Sequence, residues 1–379
     1  MKKIFTSLAI LLFFCCNEKN SGIQESEYVI KVNTDETEIL DYSKKTSFNK
    51  FISLETTENS LIKKIEKIYF SKSIIIIFDE SVREIFLFDH DGLYIGKCGE
   101  KGNGPGEHTY FSDVYYDEPT EQIYAYEGAK RSMYIYNLAG KLVDVIPTPN
   151  IQFRSFCKVE DGYWLYTGMQ NKKFTNSLLK VDNSFNIIGG FIPQKVFFTT
   201  YWRSTFFQNE KGNIFFISPY GNIIYQIEKN ELKPYFKIDF GKNSPPFDIL
   251  NKLTDENEYN RLTTGDEIYG NIHNFILYKD IFYFNFSSTV NNSQIFFGHF
   301  DKTNNKSIVF NSFSEYKKDN FPFNGISFVQ PLTIYKDNYI CLVNPYHVSE
   351  ESLNIMNKTS PFTITDDSNP LLFFLKITD

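Results

Sequence analysis

Residues 65–98 read IEKIYFSKSIIIIFDESVREIFLFDHDGLYIGKC. Four apolar runs lie in this stretch: Ile65–Phe70, Ile74–Phe78, Ile85–Asp89 and Tyr94–Cys98. Each has strand length, is rich in Ile, Phe and Tyr, and is bounded by turn formers such as Ser71-Lys-Ser73 and His90-Asp-Gly92. The plan repeats downstream in Phe111–Tyr116, Ile123–Tyr126, Met133–Asn137 and Leu142–Ile146. Four short strands at a fixed repeat are the mark of a propeller blade.

Working outward, two markers count the blades. Tight reversals between a first and a second strand fall at Ser71-Lys-Ser73, Pro119–Gln122, Glu160-Asp-Gly162, Glu210–Asn213, Lys279-Asp280 and Lys336-Asp-Asn338. Third strands end on an acidic or amide residue at Asp89, Asn137, Asp182, Glu228 and Asp301. The first four of these are 45 to 48 residues apart, and the fifth lies 73 beyond Glu228, so about half a blade is inserted there. The chain ends on the same pattern, Leu375-Lys-Ile-Thr-Asp379, which leaves the last blade without a fourth strand. Phe51–Leu54 is a free strand-like run at the other end, and pairing it there closes the ring without an unpaired blade edge. The sequence thus predicts an all-β fold: a six-bladed β-propeller of four-stranded antiparallel blades, the last closed by an N-terminal strand. Short helices are expected over Pro245–Leu262 and within Tyr346–Asn357, and Glu27–Asn49 is expected outside the ring.

Composition agrees with a strand-rich chain. Phe and Tyr number 39 and 25 among 379 residues, and such rings fill the wide gaps between packed sheets. A formal charge of −7 gives no footprint for nucleic acid. Lys2 and Lys3 precede the apolar run Ile4–Phe14, which is too short to span a bilayer and ends in Cys15-Cys16-Asn17. This resembles a bacterial lipoprotein leader, with acylation expected on Cys16 and Cys15 as the small residue before the cut. Residues 1–15 are then leader, 16–50 a tether and N-terminal extension, and 51–379 the propeller. Cys98, Cys157 and Cys341 lie in expected strands without a pairing pattern and read as buried thiols.

Four motifs carry a family resemblance: Phe51-Ile-Ser-Leu-Glu-Thr-Thr57, Ile85-Phe-Leu-Phe-Asp89 with Asp91-Gly92, Gly102-Asn-Gly-Pro-Gly-Glu107, and Asn369-Pro-Leu-Leu-Phe-Phe-Leu375. Together they resemble the six-bladed propeller lipoproteins of Bacteroidetes, distant relatives of NHL-type propellers. The resemblance implies the fold and a cell-envelope address, with the outer membrane as the expected destination and the facing side open. It supplies no catalytic residues and no cofactor.

Candidate chemistry is sparse. Gly102–Gly106 has neither a GKS/T ending nor a following helix, so it is no P-loop; it reads as a turn, or as a nest of N–H groups for an anion. The five histidines show no HxH or HxxxH spacing, and a metal site assembled between blades would draw on Glu107, His108 and His273. No GxSxG elbow and no Asp-box repeat is present. The aromatic run Phe197–Arg203 leads from blade 3 into blade 4, and Arg154 and Phe323 occupy equivalent connections. Tyr, Trp and Arg dominate binding hot spots, so Arg154, Tyr201, Trp202, Arg203 and Phe323 are the candidate ligand-binding residues, with packing between blades as the competing role. Two functions follow: a binding or scaffold protein for a peptide, glycan or protein partner, or a metal-dependent lyase or hydrolase at the axial pore.

Overall fold

The computed structural model describes residues 26–168, 173–193, 205–217, 221–244, 257, 268–288, 294–328 and 331–378, with no side-chain account of residues 271 and 273. Six sheets form a ring, each built on four antiparallel strands in order from the innermost outward. Blade 1 comprises β4 (Ile65–Phe70), β5 (Ile74–Asp79), β6 (Glu84–Asp89) and β7 (Tyr94–Lys97). Blade 2 comprises β8 (Asp113–Asp117), β9 (Gln122–Glu127), β10 (Ser132–Tyr136) and β11 (Leu142–Pro147). Blade 3 has β12 (Ser155–Val159), β13 (Gly162–Tyr166), β14 (Asn176–Val181) and β15 (Ile187–Pro193). Blade 4 has β16 (Phe206–Gln208), β17 (Ile214–Ile217), β18 (Ile223–Glu228) and β19 (Glu231–Asp239). Blade 5 has β20 (Tyr269–Tyr278), β21 (Ile281–Ser288), β22 (Ile295–Asp301) and β23 (Lys306–Phe313).

Blade 6 is assembled from both ends of the chain. Its inner strands are β24 (Thr333–Tyr335), β25 (Asn338–Val343) and β26 (Leu371–Ile377), and its outer strand is β3 (Thr46–Ile52), antiparallel to β26. The closing strand therefore starts five residues before the expected Phe51. Its burial alternates irregularly, because an outer strand faces solvent and needs no continuous apolar run. Two further N-terminal strands, β1 (Tyr28–Lys31) and β2 (Thr37–Leu40), add parallel to the outer edges of blades 4 and 5. Of the segment Glu27–Asn49, β1 and β2 lie outside the ring as paired fifth strands, whereas Thr46–Asn49 belong to the closing strand of blade 6.

Position in the blade explains the sequence pattern. Every residue of β5 and of β13 is buried, since second strands are covered on both faces by neighbouring blades; hence the unbroken Ile and aromatic runs. Three of the markers that count the blades are Asx turns. Asp89 Oδ1 accepts from the N–H of Asp91 and Leu93, Asn137 Oδ1 from Ala139 and Lys141, and Asp182 Oδ1 from Ser184 and Asn186. Asn369, at the head of the C-terminal motif, is a clamp across the closure. It accepts from Ile62 N–H at 2.7 Å and donates to the carbonyls of Glu55 and Ser60 at 2.9 and 2.8 Å.

Outside the blades, helix α1 (Glu350–Met356) lies in the expected Tyr346–Asn357 window, with Ser349 as its N-cap. The expected helix over Pro245–Leu262 falls outside the described residues. Cys98, Cys157 and Cys341 are buried and free. Among the described residues no helix is long and apolar enough to cross a membrane.

Candidate functional site

The first strands of all six blades converge on the axis and line a channel of about 1060 Å³ that reaches the hairpins between first and second strands. Inner strands run edge to edge here, so a side chain in the channel meets the next blade. Lys67 of β4 donates to Asp113 of β8 at 2.6 Å and to the Val114 carbonyl at 3.1 Å. The other Asp113 oxygen accepts from Phe156 N–H of β12 at 2.9 Å. One carboxylate thereby ties three blades.

The lacing continues around the ring. Ser155 and Thr205 hydroxyls join blades 3 and 4, and Glu210 accepts from Lys279 N–H across blades 4 and 5. The Tyr278 hydroxyl donates to Asp337 across blades 5 and 6, and Tyr335 stacks on Phe70 at 4.6 Å where blade 6 meets blade 1.

Burial sets the electrostatics. It works against the Lys67 ammonium, yet Asp113 beside it, with Tyr69, holds the lysine above its ordinary pKa. Burial pushes the Asp113 carboxyl up, while Lys67 and the N–H groups of Phe156 and Val114 pull it back. With its donors in place the ionised pair is the arrangement the geometry supports. Tyr69 is pushed up to about 12, first by burial, and burial also raises the Cys157 thiol; neither is a ready nucleophile near neutral pH. Asn285 Oδ1 is different. It lines the channel, is buried, and has no hydrogen-bond partner among the described residues.

The Gly102–Gly106 loop already holds an anion, and that anion is its own. Glu107 Oε2 accepts from Gly104 N–H at 2.7 Å, and a Cβ on Gly102 would stand 2.0 Å from the same oxygen. Lys130 and Tyr134 donate to the Glu107 carbonyl at 2.7 and 3.0 Å. The glycines thus make room for an internal carboxylate. His108 follows, 2% exposed and stacked on Phe111 at 4.0 Å. Among the described residues no group of three His, Cys, Asp or Glu side chains gathers as metal ligands, and the His273 side chain lies outside them.

Of the candidate ligand-binding residues, Arg154 is exposed at the start of β12, packed against Gly168. Phe323 is only 4% exposed; its ring packs edge-on to Phe48, Phe51 and Phe373, closed off from solvent. Tyr201, Trp202 and Arg203 fall outside the described residues, so the cluster is not seen assembled. Sequence reasoning missed Lys67, Asp113, Tyr278 and Asp337. Lys67 and Asp113 were signalled only by charge on inner strands, and partners 46 and 59 residues apart cannot be matched from spacing.

A family model described as Domain of unknown function (DUF4934) matches residues 27–376. The chain belongs to that family. The chain is similar in structure to a Bacteroides fragilis protein described as exported. The two are 18% identical with a TM-score of 0.69, covering 93% of this chain and 99% of the other. A Bacteroides vulgatus member of the DUF4221 family is also similar, at 9% identity, a TM-score of 0.55, and 88% and 98% coverage. At these identities the likeness is one of fold. Among curated proteins no relative matches the chain.

Proposed function

We propose that this DUF4934 chain is an exported cell-envelope propeller, held by a lipid on Cys16, that binds a ligand on its axis without transforming it. The observation that carries the reading is the channel of about 1060 Å³, large enough for a small-molecule or peptide-end ligand. Lys67, Glu210, Tyr278 and Asp337 of its lining are engaged in bonds between blades, and the Asn285 carbonyl oxygen has no hydrogen-bond partner among the described residues. The description of the B. fragilis neighbour as exported supports the address, as does the Lys2–Cys16 leader. The outer membrane is the proposed destination, and a peptide, glycan or protein end is the proposed class of partner. Arg154, with Tyr201, Trp202 and Arg203, is the set of side chains proposed to meet that partner.

Gln208 is exposed and lines the channel, so Gln208→Trp fills the opening without touching the blade core. Native mass spectrometry of protein drawn from the envelope should show a bound species on the parent chain. The variant should lose it while its melting temperature stays unchanged. A species retained equally by both proteins would put the binding site elsewhere.

A further inference from the structure

We propose that the guest of the axial channel is an uncharged saccharide, its hydroxyl groups met by the paired carboxamides of Asn274 and Asn285. The proposal rests on the axial-binding reading above and names the chemistry of what is bound.

Strand register brings the two amides together. Asn274 on β20 stands opposite Asn285 on β21, and directly opposed residues of an antiparallel pair share one face. A local irregularity makes this so. Ile272, two positions earlier, pairs with Phe286, and both belong to the apolar packing that blade 5 shares with blade 4. Along a regular strand, positions 272 and 274 would point the same way. The register slips by one residue between them, so Asn274 turns to the other face with Asn285. Ile276 and Tyr283 continue that face into the packing against blade 6. Bulges of this kind re-aim side chains, and this one sets two carboxamides side by side in the channel wall.

The wall then decides what kind of molecule fits. Asn285 Oδ1 is buried with no hydrogen-bond partner among the described residues, so it calls for a donor from the guest. A carboxamide carries donors and an acceptor, and a hydroxyl both gives and accepts, so the pair suits a polyol whichever way round each amide lies. Charge is not called for. Four lysines and four carboxylates line the channel and leave it without net charge. Lys67 is held by Asp113, Lys64 by Glu80 at 2.6 Å, and Asp337 takes the Tyr278 hydroxyl. A peptide end would bring an unbalanced ammonium or carboxylate into a wall whose charges already cancel.

Aromatic area supplies the rest. Phe207 of β16 is half-buried, lines the channel on the blade 4 side of β20, and is backed by Phe275 at 4.0 Å. Tyr335 of β24 is half-buried too, lines the channel from blade 6, and is backed by Phe70 at 4.6 Å. The negative face of such a ring attracts the polarised C–H groups of a sugar ring, whose hydroxyls remain free to reach the amides. A volume of about 1060 Å³ admits a short oligosaccharide.

Two measurements on the full chain test this. On an array of neutral, uronic-acid and amino-sugar oligosaccharides, the parent protein should retain neutral glycans alone. Asn285→Leu, close in size, should weaken that binding about tenfold or more, while its melting temperature holds or rises because an unpartnered buried amide is gone. Asn274→Ala, at the half-buried neighbour, should show the same loss. In native mass spectrometry of protein drawn from the envelope, the bound species should have the mass of joined neutral sugar units. A peptide or charged species that Gln208→Trp displaces would overturn the saccharide and leave the axial reading standing, whereas a species that Gln208→Trp fails to displace would overturn both. An array on which the parent retains no neutral glycan, or on which both amide variants bind as the parent does, would likewise overturn the saccharide.

Discussion

His299 on β22 is 4% exposed, its ring edge-on to Tyr283, and one nitrogen lies 3.2 Å from Lys45 Nζ at the root of β3. Burial, reinforced by the Lys45 charge, pushes its pKa down from 6.5 to about 4. The folded value lies below the unfolded one, so the unfolded chain binds the extra proton. The stability tied to the neutral ring is complete above pH 6.5 and drains away as pH falls toward 4. Each pKa unit is worth about 1.4 kcal/mol, which puts the full swing at roughly 3 kcal/mol. Melting curves of parent and His299→Leu between those pH values should converge as pH falls, the variant showing the shallower acid slope. Parallel curves would mean that the folded ring takes up its proton as readily as the unfolded one. The contact matters beyond its own energy, because it joins blade 5 to the closing strand.

At the scale of the element, β26 is the strand on which closure depends. Leu371, Leu372, Phe373 and Leu375 are fully buried in it, and it pairs with β25 on one side and β3 on the other. Deleting Leu371–Asp379 removes both ladders and strands β3 as a lone edge, a loss of several kcal/mol against a typical total of about 5–15. The product should be insoluble or rapidly cut in limited proteolysis; a soluble truncation with an unchanged melting transition would refute closure through this strand. The same element shows what was legible in advance. Strands covered on both faces must be apolar throughout, so β5, β13 and β26 announce themselves in sequence. The Asx residues Asp89, Asn137 and Asp182 fix the blade count for an equally local reason. Thr46–Asn49 was not legible, because an outer strand half in water is free to be polar. Nor was the pairing of β1 and β2, which depends on a vacant edge some 200 to 270 residues away rather than on their own composition. The Lys67–Asp113 pair fails for the same reason: it belongs to two blades, and each half alone is an unremarked charge.

For the whole molecule, the ring and its N-terminal straps determine how an anchor would hold it. Strands β1, β2 and β3 bind the chain to blades 4, 5 and 6 in turn, and Tyr28, the first paired residue, sits on the rim of blade 4. If the lipid sits on Cys16, only Asn17–Glu27 lies between it and the first paired residue, Tyr28. At about 3.3–3.6 Å per extended residue, that leash keeps the rim of blade 4 within roughly 40 Å of the bilayer surface. A single acyl chain holds a protein only marginally, so the lasting attachment proposed here needs the full lipoprotein modification. Cys16→Ser should therefore move the protein from the membrane pellet to the soluble fraction on ultracentrifugation, with no change in its melting temperature. Release by Cys15→Ser instead would shift the acylated position by one residue. Retention of both variants in the pellet would remove the lipid from the account.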